Sequence, residues 1–165
     1  MFLSKKKYLT LISVLVLLIA LTFIIYLIAN KIENNKTKTN EPIVLNLLTS
    51  VHPNLPWNFK SIDKKITVKP GEVTTIEYIV ENTKNEDTTG IATFAYFPKQ
   101  FGSYIRKLNC FCYDAQTLKG KQQDKFSVVI LIDPEVTKDS KTKNIKEVTI
   151  QFTFFDYKEY QESKS

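Results

Sequence analysis

The feature that most constrains this chain is a long uncharged run near its N-terminus. Residues 8 to 30 contain no Asp, Glu, Lys or Arg, and neither Gly nor Pro interrupts them. A helix of this length, rising about 1.5 Å per residue, crosses a hydrocarbon core of about 30 Å. A cleaved signal peptide has an apolar region of only about 7 to 15 residues, and Ala29-Asn30-Lys31 is a poor cleavage site. The run therefore predicts a single uncleaved transmembrane anchor over residues 8 to 30.

The lysines around this run leave its orientation open by charge alone. Residues 1 to 7 carry three lysines and residues 31 to 38 carry three more, so the positive-inside rule gives no clear preference. The tail before the anchor is too short to fold, whereas the chain after it is long enough for a domain. We expect residues 1 to 7 to form a short cytoplasmic tail and the domain that follows the anchor to lie on the opposite side of the membrane.

Beyond the anchor, the hydropathy pattern predicts an all-β domain over residues 43 to 157. Residues 31 to 42 are polar and aperiodic, which is typical of a linker, and residues 158 to 165 are expected to form a polar C-terminal tail. About seven strands, separated by turn signals, are predicted at 43–48, 65–69, 73–81, 90–97, 105–113, 125–133 and 147–155. Two antiparallel sheets packed as an immunoglobulin-like β-sandwich fit this number, with a small barrel as the alternative.

Alternation within two of these segments predicts which side chains face the core, because residues two apart in a strand share a face. In segment 73–81 the more apolar set, assigned inward, is Thr74, Ile76, Tyr78 and Val80. In the last segment the apolar set is Val148, Ile150, Phe152 and Phe154. These side chains are predicted to form much of the core.

Composition excludes several kinds of site. The chain has 4 Gly, none of them clustered, so it lacks the glycine-rich loops that bind dinucleotides or nucleotide phosphates. Its single histidine, His52, rules out a His-rich metal site and has no nucleophile context for a catalytic triad. Three of the 23 basic residues precede the anchor and the others are scattered, so no nucleic-acid partner is expected. No catalytic residue and no organic cofactor site is predicted.

The residues with the clearest chemistry are the two cysteines, Cys110 and Cys112. If both lie in an extended strand, their sulfurs project from one face and Phe111 points to the other. Two adjacent thiolates suit Cu(I), which prefers sulfur and accepts low coordination numbers, whereas Zn(II) requires four ligands. A second chain that presents its own pair is one way to supply a further ligand, which predicts a homodimer bridged by copper.

Three interpretations of this pair stay open on spacing alone. The first is a metal site, and the second is a redox dithiol. Strand neighbours two apart lie about 6.5 to 7 Å apart at Cα, at the edge of the range that a disulfide permits, so such a bond would be readily reduced. The third is a pair of small core residues. Metal ligands and redox thiols must be reachable from solvent, whereas core cysteines are closed off.

Five short elements follow one another in a recognisable order. They are NLPWNF at 54–59, VKPGE at 68–72, KLNCFCY at 107–113 with QTL at 116–118, IDPE at 132–135 and FTFF at 152–155. In this order and spacing, from about residue 51 to residue 155, the chain resembles the CtaG family, the copper-delivery assembly factors of cytochrome c oxidase. The cysteine element is the most specific of the five.

The resemblance implies one anchor in a bacterial inner membrane and an immunoglobulin-like domain in the periplasm, with the mitochondrial inner membrane less favoured. It implies Cu(I) bound by Cys110 and Cys112, with Phe111 and Tyr113 shaping the site and Gln116 holding the loop beneath it. The implied task is to take copper from a donor protein and insert it into the catalytic copper centre of oxidase subunit I. Such a protein is a metallochaperone and not an enzyme.

The chain also departs from the family's pattern. Members usually carry a third cysteine shortly after the anchor, but residues 30 to 45 contain none. Tyr113 replaces the usual Phe, and the strand before the cysteines is altered to FAYFP at 94–98. Two alternatives to copper delivery remain: a thiol-disulfide reductant that acts on the oxidase copper-site cysteines, and an anchored β-sandwich binding module with structural cysteines.

Overall fold

The computed structural model describes residues 5–38 and 41–164, which belong to two compact units. The first unit is one helix, α1 (Lys5–Lys38), and its segment Lys7–Ile32 is long and apolar enough to cross a membrane. The large apolar side chains of this segment are exposed on all sides, as in a helix that contacts lipid. The predicted anchor is therefore a helix and a candidate membrane span.

The helix extends beyond the predicted anchor at both ends. Residues 31–38, predicted as part of a linker, continue α1 to Lys38, because neither Pro nor Gly interrupts its backbone hydrogen bonds there. Residues 39 and 40 lie outside the described residues. Of the predicted cytoplasmic tail, residues 1–4 also lie outside them, and α1 begins at Lys5.

The second unit is a two-layered β-sandwich. Within residues 41–164 the strands are β1 (Ile43–Val51), β2 (Trp57–Ser61), β3 (Lys65–Val68), β4 (Val73–Asn82), β5 (Thr88–Phe97), β6 (Ile105–Cys110), β7 (Gln116–Leu118), β8 (Gln123–Ile132) and β9 (Glu147–Asp156). One sheet has the order β3-β1-β9-β5-β7 and the other β2-β4-β8-β6. Neighbouring strands are antiparallel except β1 and β9, which are parallel. The predicted all-β sandwich with one N-terminal helix is confirmed.

The core lies between the two sheets and contains the side chains that alternation assigned to it. In β4, Ile76, Tyr78 and Val80 are at most 3% exposed, and the four side chains of β9 that alternation assigned inward are at most 1% exposed. Thr74 is half-buried because it lies near the start of β4. Burial of these faces supplies most of the driving force for packing the sheets.

Two short strands were not predicted from the sequence. β2 has five residues and β7 has three, which is too few for alternation to stand out. β7 forms by pairing with the start of β5, from Thr88 to Gly90.

The predicted polar C-terminal tail also differs from the structure, since a short helix, α2 (Tyr157–Glu162), includes its first residues. The side chain of Asp156 starts this helix by accepting hydrogen bonds from two backbone N–H groups.

Candidate metal centre

The two cysteines lie in a turn and not in one strand. β6 ends at Cys110, and Phe111–Tyr113 form a single 3-10 turn; we call residues 110–113 the cysteine turn. The backbone N–H of Cys112 donates to Sγ of Cys110 over 3.1 Å. The prediction that both sulfurs project from one extended strand is therefore wrong. Because a 3-10 turn rises less per residue than a strand, the two Cα atoms are only 5.0 Å apart.

The two sulfurs form a disulfide, and they differ in exposure. Cys110 is only 5% exposed, whereas Cys112 is half-buried at the surface. An incoming thiol or metal donor therefore meets Cys112 first. While the bond is intact neither sulfur is a thiolate ligand, but reduction by two electrons leaves two thiols held side by side. That soft pair is suited to Cu(I).

Phe111 fixes the cysteine turn to the core. Its ring is 9% exposed and packs with centroid distances of 4.9 to 5.9 Å against five aromatic rings, those of Phe59, Tyr78, Phe126, Phe152 and Phe154. Such contacts add to the burial of large apolar area. A shift of the turn would open this cluster, so core packing holds both cysteines in place.

Tyr78 lies in the same cluster and carries a buried hydroxyl. The side chain is fully buried, and the hydroxyl has no hydrogen-bond partner within residues 41–164. Burial raises the pKa of this phenol well above its usual value. The hydroxyl therefore stays protonated, and it lies in the core beneath the cysteine turn rather than at its surface.

Two side chains, those of Gln116 and Tyr113, support the cysteine turn through hydrogen bonds to backbone carbonyls. Gln116 on β7 donates from Nε2 to the carbonyl of Phe111 over 3.0 Å and to that of Asp114 over 3.2 Å. The hydroxyl of Tyr113 donates to the carbonyl of Lys107 over 2.7 Å. The structure thus places the three residues predicted to shape the site around the two cysteines. The Tyr113 ring itself remains 53% exposed.

A β-bulge lies directly before the cysteine turn. Lys107 of β6 pairs with Ile130 of β8 and Asn109 pairs with Val129, so Leu108 is an extra residue in β6. A bulge of this kind bends the strand and redirects side chains. Leu108 is 52% exposed beside the cysteine turn. No pattern in the sequence predicts this irregularity.

Lys107 extends from the bulge toward the sulfur of Cys112. Its Nζ lies 3.7 Å from Sγ of Cys112, 4.6 Å from the ring centroid of Phe94 and 5.6 Å from that of Tyr113. Burial lowers the pKa of the Lys107 ammonium. Sequence analysis assigned no role to this residue, because a lysine five positions before a cysteine means little until the fold of the turn is known.

The other residues considered from the sequence serve the fold. His52 stacks on Phe155 with a centroid distance of 5.6 Å, and its Nδ1 lies 4.0 Å from a carboxylate oxygen of Glu159. Asp133 caps a short 3-10 turn and pairs with Arg106 over 2.8 Å. No cluster of three or more His, Cys, Asp and Glu side chains that could hold a metal occurs in the described part of the chain.

Comparison with known proteins finds a family model and relatives that share one description. The family model described as cytochrome c oxidase assembly protein CtaG/Cox11 matches residues 24–156, which include both cysteines. The CtaG protein of Brucella ovis is 35% identical over 123 residues, covering 74% of this chain and 61% of the relative. That of Brucella canis is 40% identical over 101 residues, covering 61% and 50%. That of Sinorhizobium fredii is 35% identical over 116 residues, covering 70% and 58%.

The chain thus matches 50 to 61% of the length of these three curated relatives. Among solved structures, the ASH/PapD-like domain of human CEP192 aligns with 72% of this chain and 86% of that domain. The sequence identity is 13% and the TM-score is 0.29. At this level of similarity, the assignment of a sandwich rests on the strands and sheets described above.

Proposed function

Because the chain belongs to the CtaG/Cox11 family of cytochrome c oxidase assembly proteins, we propose that it is a membrane-anchored Cu(I) carrier. Its cargo goes to the catalytic copper centre of oxidase subunit I during assembly. The carrier itself is not an enzyme, since it transfers a metal ion without making or breaking covalent bonds in a substrate. Cys110 and Cys112 are the ligands.

The observation that carries this proposal is the pairing of the two sulfurs on a turn that the core holds in place. Cys110 supplies a buried sulfur supported by a backbone N–H, and Cys112, which is half-buried, supplies the more accessible sulfur. A pair with one accessible member accepts and releases a metal by ligand exchange, because an incoming thiol or imidazole attacks from the open side. A closed four-ligand site would retain its metal instead.

Cu(I) binding requires Cys110 and Cys112 to be reduced. Cu(I) binds the reduced pair with loss of two protons, which gives a two-coordinate complex with one net negative charge. The disulfide must first be opened by an external dithiol, which becomes a disulfide in exchange. A third ligand comes from the donor protein, from subunit I or from a second copy of this chain in a copper-bridged dimer.

The candidate membrane helix supports the location that we propose. The apolar segment Lys7–Ile32 is long enough to anchor the chain; in this proposal the membrane is the bacterial inner membrane and the β-sandwich works in the periplasm. An anchor confines the carrier to the membrane that holds the oxidase, so copper travels only a short distance. No third cysteine follows the helix in this chain, and the transfer therefore uses the cysteine turn alone.

A second function, favoured by the disulfide in the structure, is that of a thiol-disulfide reductant. The reduced pair would pass two electrons to a disulfide between copper-site cysteines of the oxidase and become the disulfide seen here. Such a protein needs no copper. Its cysteine pair should titrate at a defined reduction potential in a thiol buffer, and it should retain no Cu(I).

The deciding experiment is copper stoichiometry. The full chain in detergent is reduced, loaded with Cu(I) under anaerobic conditions and freed of excess metal, beside the Cys110→Ser/Cys112→Ser variant. We expect about one Cu(I) per chain in the wild type and none in the variant, and gel filtration then tests whether copper drives dimerisation. Equal copper in the two proteins would rule out delivery by these cysteines and leave the reductant as the working hypothesis.

A further inference from the structure

We infer that the outer face of the five-stranded sheet is a docking surface for anionic phospholipid. The partner is the lipid surface itself, which receives exposed apolar side chains and is attracted by lysines at one edge of the sheet. The inference goes beyond copper carriage and does not depend on it, since none of the docking residues belongs to the cysteine turn.

The first support is the lack of charge on this face. The side chains that point away from the core on β1, β9 and β5 form three rows, because the pairing register aligns them across the strands. The rows are Asn46-Thr149-Phe97, Leu48-Gln151-Ala95 and Ser50-Thr153-Thr93. We call these nine residues the uncharged face. The outer face of a sheet that meets only water is normally polar and rich in charged side chains, and this one contains none.

The second support is the exposure of apolar side chains on and beside the uncharged face. Leu48 is 50% exposed and Phe97 is 71% exposed. Ile62, in the connection from β2 to β3, is 45% exposed and lines a groove of about 690 Å³ together with Leu48. Apolar side chains that lie together at a surface mark an interaction site. A lipid interface takes them out of water without requiring a complementary protein surface.

The third support is the charge of the groove. Lys60, Lys64 and Lys65 line it, whereas Asp63, from the same connection, does not. Lys65 pairs with Glu147 over 2.9 Å, but Lys60 and Lys64 have no carboxylate partner within residues 41–164. Lysines beside exposed apolar side chains are typical of surfaces that bind anionic lipid, because the ammonium groups meet phosphates while the apolar side chains insert.

The chain itself favours lipid over an acidic protein as the occupant. Its apolar segment ends at Ile32 and β1 begins at Ile43, so only residues 33–42 join the candidate membrane span to the β-sandwich. A surface tethered this closely meets lipid at a high effective concentration, and a weak contact is then enough for docking. An acidic protein meets the same lysines without that advantage.

The test uses the full chain in lipid nanodiscs with a reporter on the uncharged face. Phe97→Trp places an indole at an exposed position, whereas the native Trp57 is only 5% exposed and its emission is measured separately in the wild type. Lipids brominated near the headgroup end of the acyl chains quench an indole that touches them. With about one third phosphatidylglycerol, we expect bromination to lower the emission of the added indole at least about twofold, and clearly less in pure phosphatidylcholine.

Charge variants in the Phe97→Trp background show whether the groove is responsible. Lys60→Gln/Lys64→Gln should reduce quenching in phosphatidylglycerol discs to the level seen in phosphatidylcholine. Lys84→Gln/Lys125→Gln is the matched control, because it removes two charges from the loop after β4 and from β8 of the other sheet, and it should leave quenching unchanged. Raising the ionic strength from about 0.05 to 0.5 M should weaken the effect of phosphatidylglycerol. Thermal melting checks that every variant is folded.

Three outcomes would overturn the inference. The first is no quenching, or equal quenching in the two lipids. The second is an equal loss of quenching in the control and groove variants, which would mean attraction by net charge alone. The third is binding of polyglutamate to the chain in nanodiscs without any quenching, which would assign the face to an acidic protein. Copper stoichiometry of Lys60→Gln/Lys64→Gln should equal that of the wild type, so failure of docking leaves copper carriage standing, and the reverse holds as well.

Discussion

The side-chain amide of Gln116 donates a hydrogen bond to the carbonyl of Phe111 over 3.0 Å, and so ties β7 to the turn that carries Cys112. A second bond from the same nitrogen reaches the carbonyl of Asp114. The turn is therefore held from one side by the core, through the Phe111 ring, and from the other by a short edge strand.

Replacing Gln116 should loosen the turn at a modest cost in stability. Gln116→Leu removes both bonds to backbone carbonyls and should lower the free energy of unfolding by about 1 to 2 kcal/mol. Urea unfolding followed by the fluorescence of Trp57, the one tryptophan in the chain, reports on the β-sandwich alone. The control Gln123→Leu, at an exposed position of β8, should be near neutral. Equal losses in both variants would contradict a specific role for Gln116.

Phe111 should be far more important for folding than an exposed phenylalanine. Phe111→Ala leaves a cavity among five aromatic rings and should cost about 3 to 5 kcal/mol. Phe97 is 71% exposed, so Phe97→Ala should change the free energy of unfolding by less than about 0.5 kcal/mol. The same Trp57 fluorescence measurement compares them. Where Phe111→Ala fails to fold, Phe111→Leu provides a milder test, with a loss between those of the other two.

Tyr78 should be a position where a smaller side chain stabilises the protein. Its hydroxyl is buried without a partner in residues 41–164, so Tyr78→Phe removes an unpaired polar group while keeping the ring. We expect a gain of about 1 kcal/mol in the free energy of unfolding. The melting temperature of the variant should rise accordingly. A fall in stability would show that the hydroxyl makes a favourable interaction in solution.

The loop after β8 should contribute to loss of stability in acid. The hydroxyl of Tyr104 donates to Asp139 over 2.6 Å, and this bond, with one from the backbone N–H of Lys141, lowers the pKa of the Asp139 carboxyl. Since the folded pKa lies below the unfolded value of about 3.9, the ionised carboxylate stabilises the fold above that pH. This contribution is lost as the pH falls through the folded pKa.

Tyr104→Phe tests this relationship. The variant should be less stable than the wild type at neutral pH, and it should lose less stability between about pH 5 and pH 2, because the pKa of Asp139 moves back toward its unfolded value. Urea unfolding at several pH values measures both effects. Tyr157→Phe, at an exposed position, is the matched control. Parallel pH profiles for wild type and Tyr104→Phe would refute the assignment.

Large parts of the fold could be predicted from the sequence because they depend on local periodicity. The uncharged run of residues 8–30 and the alternation in β4 and β9 each specify an element with its buried face. The ends of the helix and the short strands could be predicted less well than the long elements. The anchor helix continues to Lys38, and β7 exists only because β5 offers it backbone partners, which no three-residue pattern reveals.

The sequence by itself determined that this chain has an apolar helix, an all-β domain and two closely spaced cysteines in a family-specific setting. Tertiary structure decided how those cysteines are presented. The insertion of Phe111 among the core rings and the bond from Gln116 convert the end of β6 into a turn, which leaves Cys110 buried and Cys112 half-buried. The bulge at Leu108 lies directly after Lys107, whose Nζ is 3.7 Å from the sulfur of Cys112. The ring contact of Phe111 with Phe152 of β9 and the bulge opposite β8 both depend on strands elsewhere in the chain, so local sequence patterns do not encode them.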